Sequence, residues 1–200
     1  IEKLKPVGLP KDAEAILLIE LDGHPSTITK EAEKIADICR QLGAEIKKAE
    51  DENARNQLWA SRRAISPALY QIRPMKINED IVVPRNMVTE MLKRLRKLSE
   101  KSGIKIVNFG HAGDGNIHVN IMVDKADNDE YTKGLSLVEQ IFKDTLLLGG
   151  TISGEHGIGL TKAGYIGMEL SKKELEIMGA IKKVFDPKNI LNPGKIFPEY

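Results

Sequence analysis

A single cysteine, Cys39, occurs in the 200 residues, so no internal disulfide can staple this fold, and a reducing compartment is implied. Aromatic residues are scarce, at 4%, too few for the rows of stacked rings that grip single-stranded nucleic acid. An excess of charge of either sign is missing as well. The net charge of +1 leaves no basic footprint for a phosphate backbone, so no nucleic-acid partner is expected. No apolar run approaches the roughly 20 residues that span a bilayer, and no transmembrane segment is expected. There is no repeat at solenoid spacing, no low-complexity tract and no visible signal peptide. A cytoplasmic location is expected, with peripheral attachment to a membrane as the alternative. The first residue is Ile1 rather than Met, which reads as a fragment or a trimmed chain.

What is present is enough for a core. Hydrophobic residues make up 41% and charged residues 30%, which suits one large domain or two small ones. Residues 3–10 read as a linker or arm. Residues 15–21 form a short apolar run read as a buried strand. Residues 27–42 place Ile28, Ala32, Ile35, Cys39 and Leu42 at helical spacing, with Gly43 as the stop. Residues 44–49 read as a weak strand, and 52–70 as a helix bent or broken by Pro67. A strand over 77–83 ends at Pro84. Residues 86–102 form an amphipathic helix with Val88, Met91, Leu92, Leu95 and Leu98 inward. Two strands, 104–109 and 117–123, flank a glycine-rich turn, and a helix covers 128–148. Further helices follow Thr161 and Ser171. A hairpin amid alternating strands and helices favours α+β: a ferredoxin-like, extended antiparallel sheet with helices on one face.

Histidine is also rare, and its placement is the most telling feature. Three of the four histidines fall in two short glycine-rich segments, residues 111–118 (His-Ala-Gly-Asp-Gly-Asn-Ile-His) and 154–159 (Gly-Glu-His-Gly-Ile-Gly). Side chains alternate faces along a strand. Ile117, Val119, Ile121 and Val123 therefore share the face expected against the helices, and His118 and Asn120 share the other. Gly113 and Gly115 are expected to turn the chain so that His111 meets His118. Two imidazoles and a carboxylate make an incomplete coordination sphere with room for water or substrate. Glu155 is the third ligand expected, and His156 stands beside it, free to accept a proton. Zinc suits this donor set first, with manganese or iron as alternatives. The remaining candidates have plainer readings. Cys39 lies on an apolar helix stripe and reads as core, His24 belongs to a surface turn, and Trp59 to packing. The Gly-rich segment 154–159 lacks the strand–helix setting of a phosphate loop.

At these residues the sequence resembles a known family. Residues 108–118, residues 153–159 and the tail 189–195 (Asn-Ile-Leu-Asn-Pro-Gly-Lys) are similar, in order, to the C-terminal half of FAD-linked 2-hydroxyacid oxidases and dehydrogenases. These are the glycolate oxidase FAD-subunit and D-lactate dehydrogenase group of the vanillyl-alcohol oxidase superfamily. The resemblance implies a substrate, or cap, domain over residues 1–185 and a segment, 186–200, returning to an N-terminal FAD-binding domain that these residues do not include. It implies FAD, held mostly by that other half, and a divalent metal on His111, His118 and Glu155, with His156 as the base. It also implies a carboxylate anchor at Arg62 in Leu58-Trp59-Ala60-Ser61-Arg62, where Arg63 follows in place of the Glu of many relatives. Lys76 falls at a second anion-binding position, Ser66 where some relatives have Thr, and Asn120 at a polar pocket position. Asn192 corresponds to the terminal asparagine that approaches the flavin. A small 2-hydroxy acid is the substrate implied, with other oxidase subunits or an electron acceptor as partners. Two other classes stay open on the residues alone: a stand-alone metal-dependent hydrolase using the same four side chains, and a non-catalytic ferredoxin-like binding module.

Overall fold

The structure, a computed structural model, describes residues 1–2, 8–10 and 12–197. Most of the expected arm, residues 3–7, lies outside the described residues, as do residues 198–200 of the tail. The chain divides into two compact units, residues 1–68 and 69–200.

The first unit is helical among its described residues. Helix α1 (Pro25–Gln41) starts at His24, whose ring accepts a hydrogen bond from the Ser26 amide, and Pro25 takes the position where no amide is needed. His24 is thus exposed, as expected, but acts as a cap. Cys39 is half-buried on this helix. Helix α2 (Glu52–Arg63) is capped by Asp51. Helix α3 (Ile65–Leu69) follows directly. The break falls at Ala64 rather than at Pro67 itself. Pro67 has no N–H for the Arg63 carbonyl, four residues back, and its ring crowds that oxygen. Trp59 donates its indole N–H to Glu20.

Both strands expected in this unit are absent. Residues 15–21 and 44–49 take no strand conformation, and Ile16 and Leu17 are 57% and 64% exposed. A strand exists only through a ladder partner, and an apolar run cannot supply one.

The second unit carries the sheet. Strand β1 (Met75–Val82), helix α4 (Val88–Ser102, entered by a 3-10 turn), strand β2 (Ile106–His111), strand β3 (Asn116–Val123) and helix α5 (Asn128–Leu147) follow in order. The sheet order is β1-β3-β2, with β3 antiparallel to both neighbours. This is the split β-α-β arrangement expected of a ferredoxin-like fold. Helices α4 and α5 pack on one face of the sheet and on each other. Ile81, Val119, Ile121, Met91, Leu95 and Phe142 are fully buried between them. Each such side chain contributes about 1.5–3 kcal/mol by leaving water. Gly103, with φ +73°, ends α4 in the left-handed conformation that favours glycine.

Four features of the second unit were not read from the sequence. A fourth strand would pair with the free edge of β1, and here it is reduced to one bridge, Val82 to Thr151. Strand β3 is buried on both faces, so His118, Asn120 and Met122 are as enclosed as the apolar residues between them. A central strand is covered on both sides, and alternation of residue type then no longer marks alternation of exposure. Leu92, expected inward on α4, is 38% exposed. After Thr161 the chain forms a 3-10 turn (Ala163–Met168) in place of the expected helix. Helix α6 (Lys172–Phe185) opens with a capping box of Ser171 and Glu174. Beyond it, the Asp186 carboxylate accepts the Ile190 and Leu191 amides and the Lys182 ammonium, which folds the start of the tail against the helix end.

Candidate functional site

The reduced fourth strand is what builds the site. Val82 and Thr151 exchange both backbone hydrogen bonds, at 3.1 and 2.9 Å, so the segment after Thr151 runs along the edge of β1. Gly154, Glu155 and His156 then arrive beside Asp80. On β1, Lys76, Asn78 and Asp80 face the same way and are registered against Met122, Asn120 and His118 of β3. One face of the sheet therefore carries a polar file that ends in His118.

The hairpin behaves as expected at its tip. His111 closes β2 opposite Asn116, and Phe109 lies opposite His118. Gly115, with φ +82°, makes the turn, and a Cβ there would run into the Val83 carbonyl oxygen. Gly113 does not take positive φ. The Asp114 carboxylate accepts the Asn116 amide at 3.0 Å and stabilises the same turn. The rings of His111 and His118 meet edge to face with centroids 5.7 Å apart.

The four expected residues converge. Glu155 presents one oxygen 3.6 Å from His111 Nε2 and the other 3.8 Å from His118 Nε2. His156 stacks on His118 at 5.4 Å between centroids, with 18° between ring planes. His111, Glu155 and His156 are exposed while His118 is buried. Burial lowers the His118 pKa against the opposing pull of Asp80 and Glu155, which favours the neutral imidazole that binds metal.

Asp80 is the residue that sequence reading missed. It is fully buried. Its Oδ2 accepts three successive amides, Gly154 at 3.0 Å, Glu155 at 2.7 Å and His156 at 2.8 Å. Its Oδ1 accepts the Asn116 side-chain amide at 2.5 Å and lies 3.4 Å from His118 Nδ1. Burial alone would raise its pKa, but the Asn116 and loop hydrogen bonds and the nearby His156 outweigh it and hold the carboxyl below its ordinary value. The signal was present in the sequence. Glu79 and Asp80 are adjacent acids inside a strand, so one of them must face each side of the sheet, and buried carboxylates persist only with dedicated partners. Lys162, which no sequence feature marked, is buried as well. Its ammonium donates to the carbonyls of Asp80 at 2.9 Å and Ile152 at 2.8 Å.

Ligand atoms of Asp80, His118, Glu155 and His156 all lie within 4.8 Å of one another. The donor set suits a divalent cation. Bonds of about 2.1 Å in a tetrahedron set donors about 3.4 Å apart; here one Glu155 oxygen lies 3.6 Å from His111 Nε2 and the other 3.8 Å from His118 Nε2. A carboxylate has about four acceptor positions. Asp80 already faces four hydrogen-bond donors and the His118 ring, so it belongs to the frame rather than to the ligand set.

The other expected positions are placed as follows. Lys76 lies on the polar file with its ammonium 5.8 Å from the centre of the Tyr70 ring, and partial burial lowers its pKa. Asn120 is fully buried. Its oxygen accepts from Asn78, and its amide donates to the Val107 and His118 carbonyls. Arg62 and Ser66 belong to the first unit, on α2 and α3. Asn192 is exposed, with φ +46°, in the tail.

The family described as FAD linked oxidases, C-terminal domain, matches residues 1–196. The glycolate oxidase subunit GlcD of Bacillus subtilis (strain 168) is 42% identical over 198 residues, covering 98% of this chain and 42% of that protein. Its counterpart in Escherichia coli (strain K12) is 38% identical over 192 residues, covering 96% and 38%. The D-lactate dehydrogenase of Anaerostipes hadrus is 32% identical over 195 residues, covering 94% and 41%. The chain thus spans about two fifths of the length of these relatives. Among solved structures, the 4-ethylphenol oxidase of Gulosibacter chungangensis in its isoeugenol complex shares the fold. The TM-score is 0.62 and the identity 19%, over 88% of this chain and 38% of that one.

Proposed function

The chain belongs to the FAD-linked oxidase C-terminal domain family, and from that premise we propose that it is the substrate domain of an FAD-dependent enzyme. The reaction is oxidation of a short 2-hydroxy acid, of the glycolate or D-lactate type, to the 2-oxo acid. The observation that carries this reading is the convergence of His111, His118, Glu155 and His156 at the edge of one sheet face. Residues 1–185 form the cap and residues 186–200 return to the flavin-binding half. The apolar residues left exposed on α6 and beyond it, Ile181, Val184, Phe185 and Ile190 among them, suit such a return. The relatives described as oxidase subunits support partner subunits, with an electron acceptor as the alternative partner.

His111, His118 and Glu155 would hold the divalent cation, zinc first, with manganese or iron(II) also compatible with two imidazoles and a carboxylate. A cation held there would make the substrate hydroxyl more acidic, and FAD would supply the acceptor for the hydride leaving Cα. His156 takes the hydroxyl proton on a ring nitrogen as the carbonyl forms, so the substrate loses one proton and one hydride. Arg62 would hold the substrate carboxylate through a bidentate pair, with Lys76, Ser66 and Asn120 as the other substrate-binding residues. Asn192 approaches the flavin from the tail. Without the flavin half the chain is not expected to catalyse the reaction.

Two variants of the full-length enzyme separate the roles. His156→Ala is expected to retain metal and flavin and to lose flavin reduction by substrate, by a factor on the order of 10²–10⁴. Glu155→Ala is expected to lose metal first. Metal analysis and stopped-flow flavin reduction decide between them. Wild-type flavin reduction in His156→Ala would remove it as the base, and full metal content in Glu155→Ala would remove the ligand set.

A further inference from the structure

Asp80 lies within reach of the candidate ligands yet spends its acceptor positions elsewhere. Three consecutive backbone amides, from Gly154, Glu155 and His156, end on its Oδ2. Successive N–H groups pointing at one atom form a concavity that selects an anion, and here the anion is a side chain of the neighbouring strand. Its other oxygen takes the Asn116 amide and faces His118 Nδ1. One carboxylate therefore touches three separate pieces of chain: β1, which carries it; the hairpin, which carries Asn116 and His118; and the loop, which carries Glu155 and His156.

We propose that Asp80 is the positioning residue of this site, holding His118 with its proton on Nδ1 and its Nε2 lone pair turned toward Glu155, and seating the loop that presents Glu155 and His156. The inference rests on the reading of His118 and Glu155 as ligands. The geometry of His118 has the required sense. Its Nδ1 is 3.4 Å from Asp80 and its Nε2 is 3.8 Å from Glu155. A neutral imidazole carries one proton, and a carboxylate at Nδ1 keeps that proton there and frees Nε2 to ligate. Glycine at position 154 permits the close approach, since a Cβ would run into the Asn116 amide and come within 2.8 Å of Val82.

The test uses full-length protein labelled with [15N]histidine, with zinc as the probe and His118→Gln to assign the resonances. In the zinc-free wild type at pH 8, long-range 1H–15N spectra are expected to show His118 as the Nδ1–H tautomer. In Asp80→Asn the Nδ1–H preference is expected to be lost, and zinc affinity to fall about 10- to 100-fold with an unchanged circular dichroism spectrum. An Nε2–H tautomer in the wild type overturns the proposal, as does a folded Asp80→Asn that binds zinc as tightly as the wild type. Should Asp80→Asn fail to fold, the wild-type tautomer still decides. A wild type that binds no zinc at all would sink the ligand reading, and the tautomer would continue to judge Asp80 on its own.

Discussion

Glu79 and Asp80 are neighbours with opposite fates. Asp80 faces the loop and is fully partnered. Glu79 faces the helices, where its Oε2 accepts no hydrogen bond and Lys162 Nζ stands 4.0 Å away. Burial pushes the Glu79 carboxyl up to about 7, with Lys162 opposing the rise and Asp80 adding to it. The consequence for stability has a definite sign. Unfolded, Glu79 releases its proton near 4.5, while the folded chain keeps it until about 7. Stability therefore falls as pH rises from about 4.5 to about 7 and levels off above, by about 3 kcal/mol at 1.4 kcal/mol per pH unit. Glu79→Gln removes the titrating proton but keeps the shape. Its stability relative to the wild type is expected to rise by about that amount across the same window. Urea unfolding of both proteins between pH 4.5 and 8 checks this, and parallel stability curves would show that Glu79 ionises in the fold as it does in water.

The decisive element is the segment after Thr151, a fourth strand cut to one bridge. Its glycine at 154 serves close approach and not a left-handed turn, because Gly157, and not Gly154, has positive φ. Gly154→Ala places a methyl group against the Asn116 side-chain amide, Val82 and Asp80. The loop must then lift from Asp80, at a cost of about 1–3 kcal/mol typical of overpacking. Zinc affinity should fall with it, since Glu155 moves with the loop. Denaturant unfolding combined with a zinc titration tests both consequences, and an unchanged midpoint with unchanged affinity would show that the loop does not need this contact. Elsewhere the elements were legible where their signals were local. Pro67, Gly103 and the Ser171–Glu174 pair act through neighbours in sequence, and breaks or caps stand beside each of them. Residues 15–21 and 44–49 depended on distant pairing partners, and no strand formed there.

At the scale of the molecule, Arg62 and the metal-ligand candidates belong to different compact units. Arg62→Lys keeps the charge and loses the planar fork that grips both carboxylate oxygens. In the holoenzyme, kcat/KM for the 2-hydroxy acid is expected to fall by at least about tenfold, the loss of roughly one charge-assisted hydrogen bond, with metal content unchanged. An unaltered kcat/KM would move the anchor to Lys76.

By itself the sequence determined the α+β class, the hairpin, the helices α1, α4, α5 and α6, and the two glycine-rich segments that carry His111, His118, Glu155 and His156. These rest on periodicity, glycine placement and residue chemistry, all carried by short stretches of chain. Only the tertiary structure decided that β3 would be covered on both faces, that the fourth strand would shrink to the Val82–Thr151 bridge, and that Asp80 would take the amides of a loop 74 to 76 residues away. A carboxylate in a strand and a glycine in a loop carry no mark of each other in one dimension. The pairing arises because the sheet edge leaves Asp80 without water and the loop arrives with three amides in need of an acceptor.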